Sequence, residues 1–444
     1  MLTVQSSTSS AKARLLQQHD DDVVIVSAIR SAFTKGRKGG FKDTRAEELL
    51  SAVLRDVYTR AKLDPKLIED VAVGNVLAPG AGANAARMAA LHAGIPSTSS
   101  VNAINRQCSS GLSAVNQIAN EIRVGQIDIG IAAGAESMTF GYGAASQPDG
   151  YSEVVLSNQE AEDCLIPMGI TSENVAREFG VTREVQDKFA ATSFQRAAAA
   201  QKAGKFKAEI LPIKVKVVDP KTEKEHEIVV DADDGVREGV TAESLSKLKP
   251  AFAKDGTTHA GNASQVSDGA AAVLLARRSV AKRLGLPIVG KFIGASVVGV
   301  PPKVMGIGPA FAIPKALEKA GITKEDVDFF EINEAFASQA VYSVEKLGLS
   351  FDKVNVHGGA IAIGHPLGCS MSMSLSVILN RPIHPRSWRT SSRNRLEHCK
   401  TIWCQSLRHQ HVHWIWHGYG WCVRQRAVNC LPFLRSMAVV GVSS

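Results

Sequence analysis

The 444-residue chain is long enough for two or three domains, and its composition of 45% hydrophobic and 21% charged residues is that of an ordinary globular protein. Glu136, Lys303 and Lys315 interrupt the most apolar regions. No stretch therefore reaches the roughly 18 uncharged apolar residues that a membrane helix requires, and we expect no membrane span. The net charge of +8 is confined to residues 371–444, which carry ten Arg or Lys and one acid. The rest is nearly neutral, so no nucleic-acid partner is expected.

Cysteine, histidine and tryptophan usage also changes after Ser370. Residues 371–444 hold all five tryptophans, four of the seven cysteines and six of the twelve histidines. Their spacing fits no zinc template, so we predict no metal site. Before this break the cysteines are Cys108, Cys164 and Cys369, without paired spacing, which favours a reducing intracellular compartment.

The first 21 residues are Ser-rich without an apolar run, and globular sequence begins at Asp22. Short β-branched or small-residue runs then alternate with helical patterns, which indicates an α/β fold with helices covering a sheet. The predicted buried strands are residues 23–26, 128–133, 270–275 and 288–300.

Two helices are predicted between these strands. Apolar residues recur at helical spacing from Leu112 to Ile122, and Thr182 is expected to cap a helix that extends to Ala200. Thr323 is expected to form a similar cap with Asp326. Residues 140–255 are richer in Gly, Pro and charge and are interpreted as an insertion over the sheet, either covering a substrate or purely structural.

One cysteine lies in a polar cluster, Asn-Arg-Gln-Cys-Ser-Ser-Gly at residues 105–111, directly before the first of these helices. Unpaired amides at a helix N-terminus stabilise a thiolate, so this position predicts a lowered pKa and a nucleophilic role for Cys108. The alternative is that Cys108 is a small buried core residue, which is the commoner role for a lone cysteine.

Two later segments carry further candidate groups. Residues 357–368 are dense in glycine and include His365, which could act as a base for a thiol, although a surface turn would have the same composition. Residues 331–336, Glu-Ile-Asn-Glu-Ala-Phe, place Asn333 after a predicted strand, where its amide could hold a water molecule.

Together these segments closely resemble the thiolase family, from about Asp22 to Ser370. The resemblance includes Gly-Ala-Glu-Ser-Met at 134–138 and Ala-Gly-Asn-Ala-Ser at 260–264. Details at residues 37–43 and 264–269 are most similar to the peroxisomal 3-ketoacyl-CoA members.

The resemblance implies a fatty-acid-degrading acyltransferase of β-oxidation. Cys108 would attack the 3-keto carbon of a 3-ketoacyl-CoA, acetyl-CoA would leave, and CoA would then take the acyl group from sulfur. His365 would activate Cys108 and, with a water held by Asn333, stabilise the oxyanion. Arg237 and Ser264 would contact CoA, which serves as a substrate, and no cofactor is implied.

The implied fold has two similar α/β halves with mixed five-stranded sheets, assembled as a homodimer. Residues 1–21 would be a disordered segment, 22–139 and 256–287 the N-terminal half, 140–255 an insertion lobe, 288–370 an incomplete C-terminal half and 371–444 a non-family tail. The tail shows no helical or strand period that would complete a sheet.

The tail also departs from the family's catalytic pattern. Thiolases carry a second cysteine in a Cys-x-Gly motif near the C-terminus, and no such motif follows Ser370. Reading residues 412–422 one base later turns each Trp into Gly and permits Cys-Ile-Gly-Ser-Gly-Met-Gly-Met-Ala-Gly. We interpret the tail as the result of a frameshift or retained intron, the alternative being a genuine Trp- and Arg-rich appendage.

Two alternative functions follow from these departures. The chain could be a catalytically impaired or misfolded product, or a biosynthetic acetoacetyl-CoA-forming thiolase. Asn333 disfavours the second, because condensing enzymes of this fold usually present a histidine there. The resemblance implies a peroxisomal location, although Arg14-Leu15 and His19 do not match the N-terminal address and the last three residues are not Ser-Lys-Leu.

Overall fold

The structure is a computed structural model that describes residues 13–143, 150–369 and 437–443. Most of the tail, including the proposed frameshift region, lies outside the described residues. Within the described residues, no helix is long and apolar enough to cross a membrane.

A mixed nine-stranded sheet forms the centre of the fold. The strands are β1 (Val23–Ser31), β2 (Thr34–Lys35), β3 (Asp70–Gly74), β4 (Ser100–Ile104), β5 (Ile129–Ser137), β6 (Ile210–Leu211), β7 (Ile213–Val218), β8 (Glu225–Val230), β9 (Ser267–Arg277), β10 (Gly290–Val298) and β11 (Met437–Ser443). The main path runs β11-β10-β1-β9-β5-β3-β4, with β2 on β9 and β6 on β1, while β7 and β8 form a separate hairpin. Strand β3 is parallel to β4 and β5, whereas β9 is antiparallel to β5 and β1.

The α-helices of the described residues are numbered here in chain order. They are α1 (Ala46–Arg60), α2 (Ala83–His92), α3 (Ser110–Arg123), α4 (Met138–Gly141), α5 (Glu153–Leu156), α6 (Gln159–Asp163), α7 (Met168–Phe179), α8 (Arg183–Lys202), α9 (Ala242–Ser246), α10 (Arg278–Arg283), α11 (Gly308–Ala320), α12 (Ala337–Lys346) and α13 (Ala360–Ile363). The α/β class predicted from the sequence is therefore confirmed.

Alternation along the central strands sets which helix covers each face. Ile131 pairs with Leu274 and packs in the cluster that contains Leu49 of α1. The next pair, Ala132 and Val273, points to the other face and packs in the cluster formed with α3. Because both faces are covered, β5 and β9 are apolar nearly throughout rather than alternating.

The predicted helix caps have different outcomes. Thr323 and Asp326 form the expected capping box, here on a 3-10 helix (Lys324–Asp326). Thr182 precedes α8 as expected, but its side chain makes no cap hydrogen bond, so that part of the prediction is wrong. Inside the predicted insertion, Phe194 of α8 is buried in the same core cluster as α1.

The C-terminal half contributes few strands within the described residues. β10 joins the sheet through two antiparallel pairs with β1, Val24 with Lys291 and Ile25 with Gly290. Residues Phe330 and Val354 form only an isolated parallel bridge. Helix α11 packs in a small separate cluster around this bridge.

One expectation about the tail is wrong. Residues Met437–Ser443 form β11, which pairs in parallel with β10 from Lys291 to Val298. The sequence Met-Ala-Val-Val-Gly-Val-Ser lacks alternation, but its β-branched residues favour an extended chain once an unpaired strand edge is available.

Candidate active site

Cys108 lies in the loop between β4 and α3, held by side-chain hydrogen bonds. Asn105 Oδ1 accepts from the amide of Gln107 at 3.0 Å, and Asn105 Nδ2 donates to the carbonyl of Val76 at 3.1 Å. Gln107 has a φ of +46°, a left-handed conformation that costs a non-glycine residue about 1 kcal/mol. The loop is therefore held in a strained shape directly before Cys108, as is common at functional sites.

The predicted lowering of the Cys108 pKa is wrong. Loss of water contact by the thiol of the half-buried Cys108 and, second, the negative charge of Glu136 raise the pKa of Cys108 to about 11. Helix α3 begins at Ser110 with Ser109 as its N-cap, so Cys108 lies just before the first turn. Burial and the Glu136 charge outweigh any stabilisation of the thiolate by this helix. The thiol is consequently protonated near neutral pH and needs a base.

His365 lies in the turn after α13 and is buried. Its backbone amide donates to Ser267 Oγ at 3.2 Å, which fixes the turn against β9. Burial lowers the pKa of His365 to about 4, so the ring is neutral at physiological pH. A neutral imidazole can accept a proton, which is the state a general base requires.

The structure brings Asn333 and His365 together. Asn333 Nδ2 lies 3.3 Å from His365 Nε2, and because an amide nitrogen can only donate, Nε2 is the acceptor in this contact. The carbonyl of Asn333 accepts from Gln339 Nε2 at 2.6 Å, which anchors the Asn333 segment to α12.

Glycines allow the His365 segment to reach the start of α3. A Cβ on Gly74 would lie 2.5 Å from the Gly111 nitrogen and 2.7 Å from the Gly368 oxygen. A Cβ on Gly134 would overlap the same oxygen and lie 2.7 Å from the Cys369 Cα. These approaches leave no room for a side chain, so the backbones carrying Cys108 and His365 meet where β3 and β5 end.

Glu136 also lies in this region, and no catalytic role was predicted for it from the sequence. Its Oε2 accepts from the amides of Val76 at 2.9 Å and Gly368 at 3.0 Å, and its Oε1 accepts from Leu77 at 3.1 Å. Burial raises the pKa of Glu136 to about 7. The signal was present, since Glu136 is a lone carboxylate within the otherwise apolar β5.

The two predicted CoA contacts lie in different surroundings. The backbone amide of Ser264 donates to the carbonyl of Ala335 at 2.9 Å, which places Ser264 beside the Asn333 segment. Arg237 is exposed, with its guanidinium 6.0 Å from the ring centre of Phe194. Two residues earlier, a Cβ on Gly235 would lie 2.7 Å from the carbonyl oxygen of Ala362, so the Arg237 loop runs along the glycine-rich segment.

Metal ligation finds no support in the part of the chain that the structure describes. No group of three or more His, Cys, Asp or Glu residues there is arranged to hold a metal ion. The histidines of the tail lie outside the described residues.

Comparison with known proteins identifies the family. The thiolase N-terminal domain matches residues 23–279, and the thiolase C-terminal domain matches residues 286–384, beyond the predicted break at Ser370. The peroxisomal 3-ketoacyl-CoA thiolase of Yarrowia lipolytica is 58% identical over 381 residues, covering 85% of this chain and 92% of that protein.

Two solved thiolase structures are also similar to this chain. The dimeric peroxisomal thiolase of Saccharomyces cerevisiae matches with a TM-score of 0.77 at 52% identity, covering 83% of this chain and 93% of that one. A second structure of the peroxisomal 3-ketoacyl-CoA thiolase of that yeast, described as five-layered with two core domains of identical topology, matches with a TM-score of 0.68 at 47% identity over 82% of this chain and 92% of that one. The chain therefore belongs to the thiolase family of enzymes.

Proposed function

We propose that the protein is an acetyl-CoA C-acyltransferase that cleaves a 3-ketoacyl-CoA with CoA in fatty-acid β-oxidation. The observation that carries this proposal is the contact between Asn333 and a neutral His365, on a segment packed against the start of α3 beside Cys108. The names of the similar peroxisomal 3-ketoacyl-CoA thiolases supply the substrate class.

The first half-reaction transfers the acyl group to sulfur. His365 takes the thiol proton of Cys108 as the sulfur attacks the 3-keto carbon, and the resulting oxyanion is stabilised by His365 and by a water molecule on Asn333. The bond between carbons 2 and 3 then breaks, and carbon 2 takes a proton from a second acid-base group as acetyl-CoA leaves. In the family this group is the cysteine of the Cys-x-Gly motif.

The second half-reaction regenerates the enzyme. The thiol of CoA gives its proton to that second acid-base group and attacks the acyl carbon of the Cys108 thioester. The bond from that carbon to the Cys108 sulfur breaks, Cys108 regains its proton from His365, and an acyl-CoA shortened by two carbons leaves. Arg237 would pair with the phosphates of CoA as an exposed cation, and Ser264 would contact CoA beside the Asn333 segment. CoA acts here as a substrate.

The compartment and the oligomeric state of this protein are inferred from the proteins to which it is similar. The similar proteins of yeast, mammals and petunia are named peroxisomal, and we place this protein in the peroxisome by the same resemblance. We also assign a homodimer, because the Saccharomyces cerevisiae peroxisomal thiolase is dimeric. Asn333 disfavours a biosynthetic, carbon-chain-building enzyme.

Covalent trapping on the full-length chain tests the proposed nucleophile. After incubation with an acyl-CoA, peptide mapping should find the thioester on Cys108, because it is the cysteine whose loop meets the His365 segment. Cys164→Ser, at an exposed cysteine, should retain the adduct, and Cys108→Ala should lose it. A label on Cys164 or Cys369 in the unsubstituted protein would overturn the assignment.

A further inference from the structure

The carboxylate of Glu136 lies where three chain segments meet. It is buried near the end of β5 and accepts hydrogen bonds from Val76 and Leu77, in the loop after β3, and from Gly368 in the C-terminal half. Each of these amides is a backbone donor that would otherwise be buried close to the packed glycines. One side chain thus satisfies donors from both halves.

Two of these contacts, those with Val76 and Gly368, lead on to a candidate catalytic residue. The carbonyl of Val76 accepts from the side-chain Nδ2 of Asn105. The Oδ1 of the same side chain accepts from the backbone amide of Gln107, the residue that precedes Cys108 in the chain. On the opposite side, Gly368 follows His365 by three residues in the turn that Ser267 also holds. The path from Glu136 to either residue is therefore short and made of hydrogen bonds and chain.

We propose that Glu136 is a positioning residue, whose carboxylate fixes the segment that carries His365 against the two segments that shape the Cys108 loop. This role rests on the proposed function, in which Cys108 and His365 act together. Glu136 does not need to touch the substrate. It sets the distance between base and nucleophile by holding the backbone on both sides.

Removing the charge of Glu136 should change the reactivity of Cys108 in a way that a change in packing alone would not. The groups that act on its carboxylate or respond to it are Asp268 of β9, Cys108 and Cys369. The negative carboxylate is the second cause, after burial, that raises the pKa of Cys108. A neutral amide at this position should therefore lower the pKa of the Cys108 thiol and increase its thiolate fraction.

Thiol alkylation in the full-length chain separates charge from packing. Iodoacetamide is used at pH 8, and the rate at Cys108 is followed by mass spectrometry with the exposed Cys164 as internal standard. The variants are Glu136→Gln, which removes the charge, and Glu136→Asp, which keeps the charge on a shorter side chain. Glu173→Gln is the matched control, because Glu173 is also buried and accepts the amides of Thr257 and Thr258.

In Glu136→Gln, we expect alkylation of Cys108 to be several-fold faster, because the negative charge that helps to raise the pKa of its thiol is gone. Cys164 should be unchanged, and Glu173→Gln should behave as wild type at both cysteines. Glu136→Asp should leave the Cys108 rate within about twofold of wild type, but the amide of Gly368 should exchange hydrogen faster, because aspartate cannot reach all three donors.

Three results would overturn the proposal. They are an unchanged Cys108 rate in a cooperatively melting Glu136→Gln protein, an equal increase in Glu173→Gln, and unchanged exchange at Gly368 in Glu136→Asp. If Glu136→Gln loses its cooperative melt, the exchange result in Glu136→Asp decides. None of these measurements uses CoA, so a wild-type chain that forms no Cys108 thioester would count against the proposed function and leave the role of Glu136 to be decided separately.

Discussion

The titratable side chains at the candidate site are governed by burial more than by neighbouring charge. Burial raises the pKa values of Cys108 and Glu136 and lowers that of His365, so in each case the neutral form gains. A thiolate and an imidazolium are therefore both unfavourable in these surroundings. Proton transfer from Cys108 to His365 is therefore expected to occur as the substrate oxyanion forms, because the negative charge of the oxyanion stabilises the imidazolium of His365.

The buried state of His365 predicts a pH dependence of stability. Its pKa is about 4 in the folded protein against 6.5 for an ordinary histidine, so between these values only the unfolded chain binds the proton. This contribution to stability is complete above about pH 6.5 and is lost as pH falls towards 4, by on the order of 3 kcal/mol. Urea unfolding from pH 7.5 to 4.5 should show wild type losing stability relative to His365→Gln.

An exposed histidine provides the control for that comparison. His19→Gln should follow the wild-type curve, because His19 is exposed. If the free energies of unfolding of wild type and His365→Gln differed by the same amount at every pH, the His365 ring would not take up a proton on unfolding in this interval. That result would contradict its buried neutral state.

Asn333 should affect the chemical step more than binding. In a protein whose reading frame is restored after Ser370, Asn333→Ala should lower kcat by about 10²-fold, the usual scale for one oxyanion-stabilising group. KM for CoA should change little, because the contact is proposed for the transition state. Asn120→Ala, at an exposed position on α3, is the control. An effect below about threefold would make Asn333 a structural residue.

At the scale of elements, the site depends on close backbone packing between the turn after α13 and the ends of β3 and β5. Gly134→Ala should destabilise the protein by about 1–3 kcal/mol, because the new Cβ would meet the backbone of Gly368 and Cys369, which cannot rotate away. Chemical denaturation measures the loss, and thioester formation on Cys108 should fall with it, since the turn carries His365.

Gly294→Ala is a matched control in β10, where no heavy atom described by the structure would lie within 4 Å of the new Cβ. Its free energy of unfolding should stay within about 0.5 kcal/mol of wild type. Equal losses in the two variants would indicate a general cost of replacing glycine in strands and would remove the close approach as the explanation.

How far the sequence predicted these elements depends on whether the cause was local. The spacing of apolar residues predicted α3 and the strands β1, β5 and β9, because this spacing is a property of neighbouring residues in the sequence. The helix after Cys108 was predicted correctly, but the direction of the Cys108 pKa shift was not. That direction depends on burial and on the charge of Glu136, which the pattern around Cys108 does not reveal. The contacts of Glu136 join residues about 60 and 230 positions apart, so no local pattern reveals them.

At the scale of the molecule, the two halves contribute different numbers of strands within the described residues. The N-terminal half supplies the five strands β1, β9, β5, β3 and β4. If the other half repeats this topology, as in the Saccharomyces cerevisiae structure with two core domains of identical topology, β10 corresponds to β1 and the parallel bridge of Phe330 with Val354 corresponds to β3 with β4. The counterparts of β5 and β9, the two central strands, would then follow residue 369.

The residues after position 369 should therefore limit turnover. We expect the frame-restored protein to cleave acetoacetyl-CoA at least about 10²-fold faster than the 444-residue chain. The first reason is chemical, because a general acid that delivers the proton to carbon 2 contributes about 10² to 10⁴. The second is structural, because two central strands would complete the sheet beside the Phe330 bridge and close the core around His365.

A third protein separates these two reasons. Replacing the cysteine of the restored Cys-x-Gly motif by Ala keeps the strands but removes the acid, so a melt like that of the restored protein with low turnover would isolate the chemical contribution. Circular-dichroism melts accompany each assay, because misfolding alone could abolish activity. If the 444-residue chain melts cooperatively and matches the restored protein in rate, its own tail supplies the missing group and the frameshift interpretation fails.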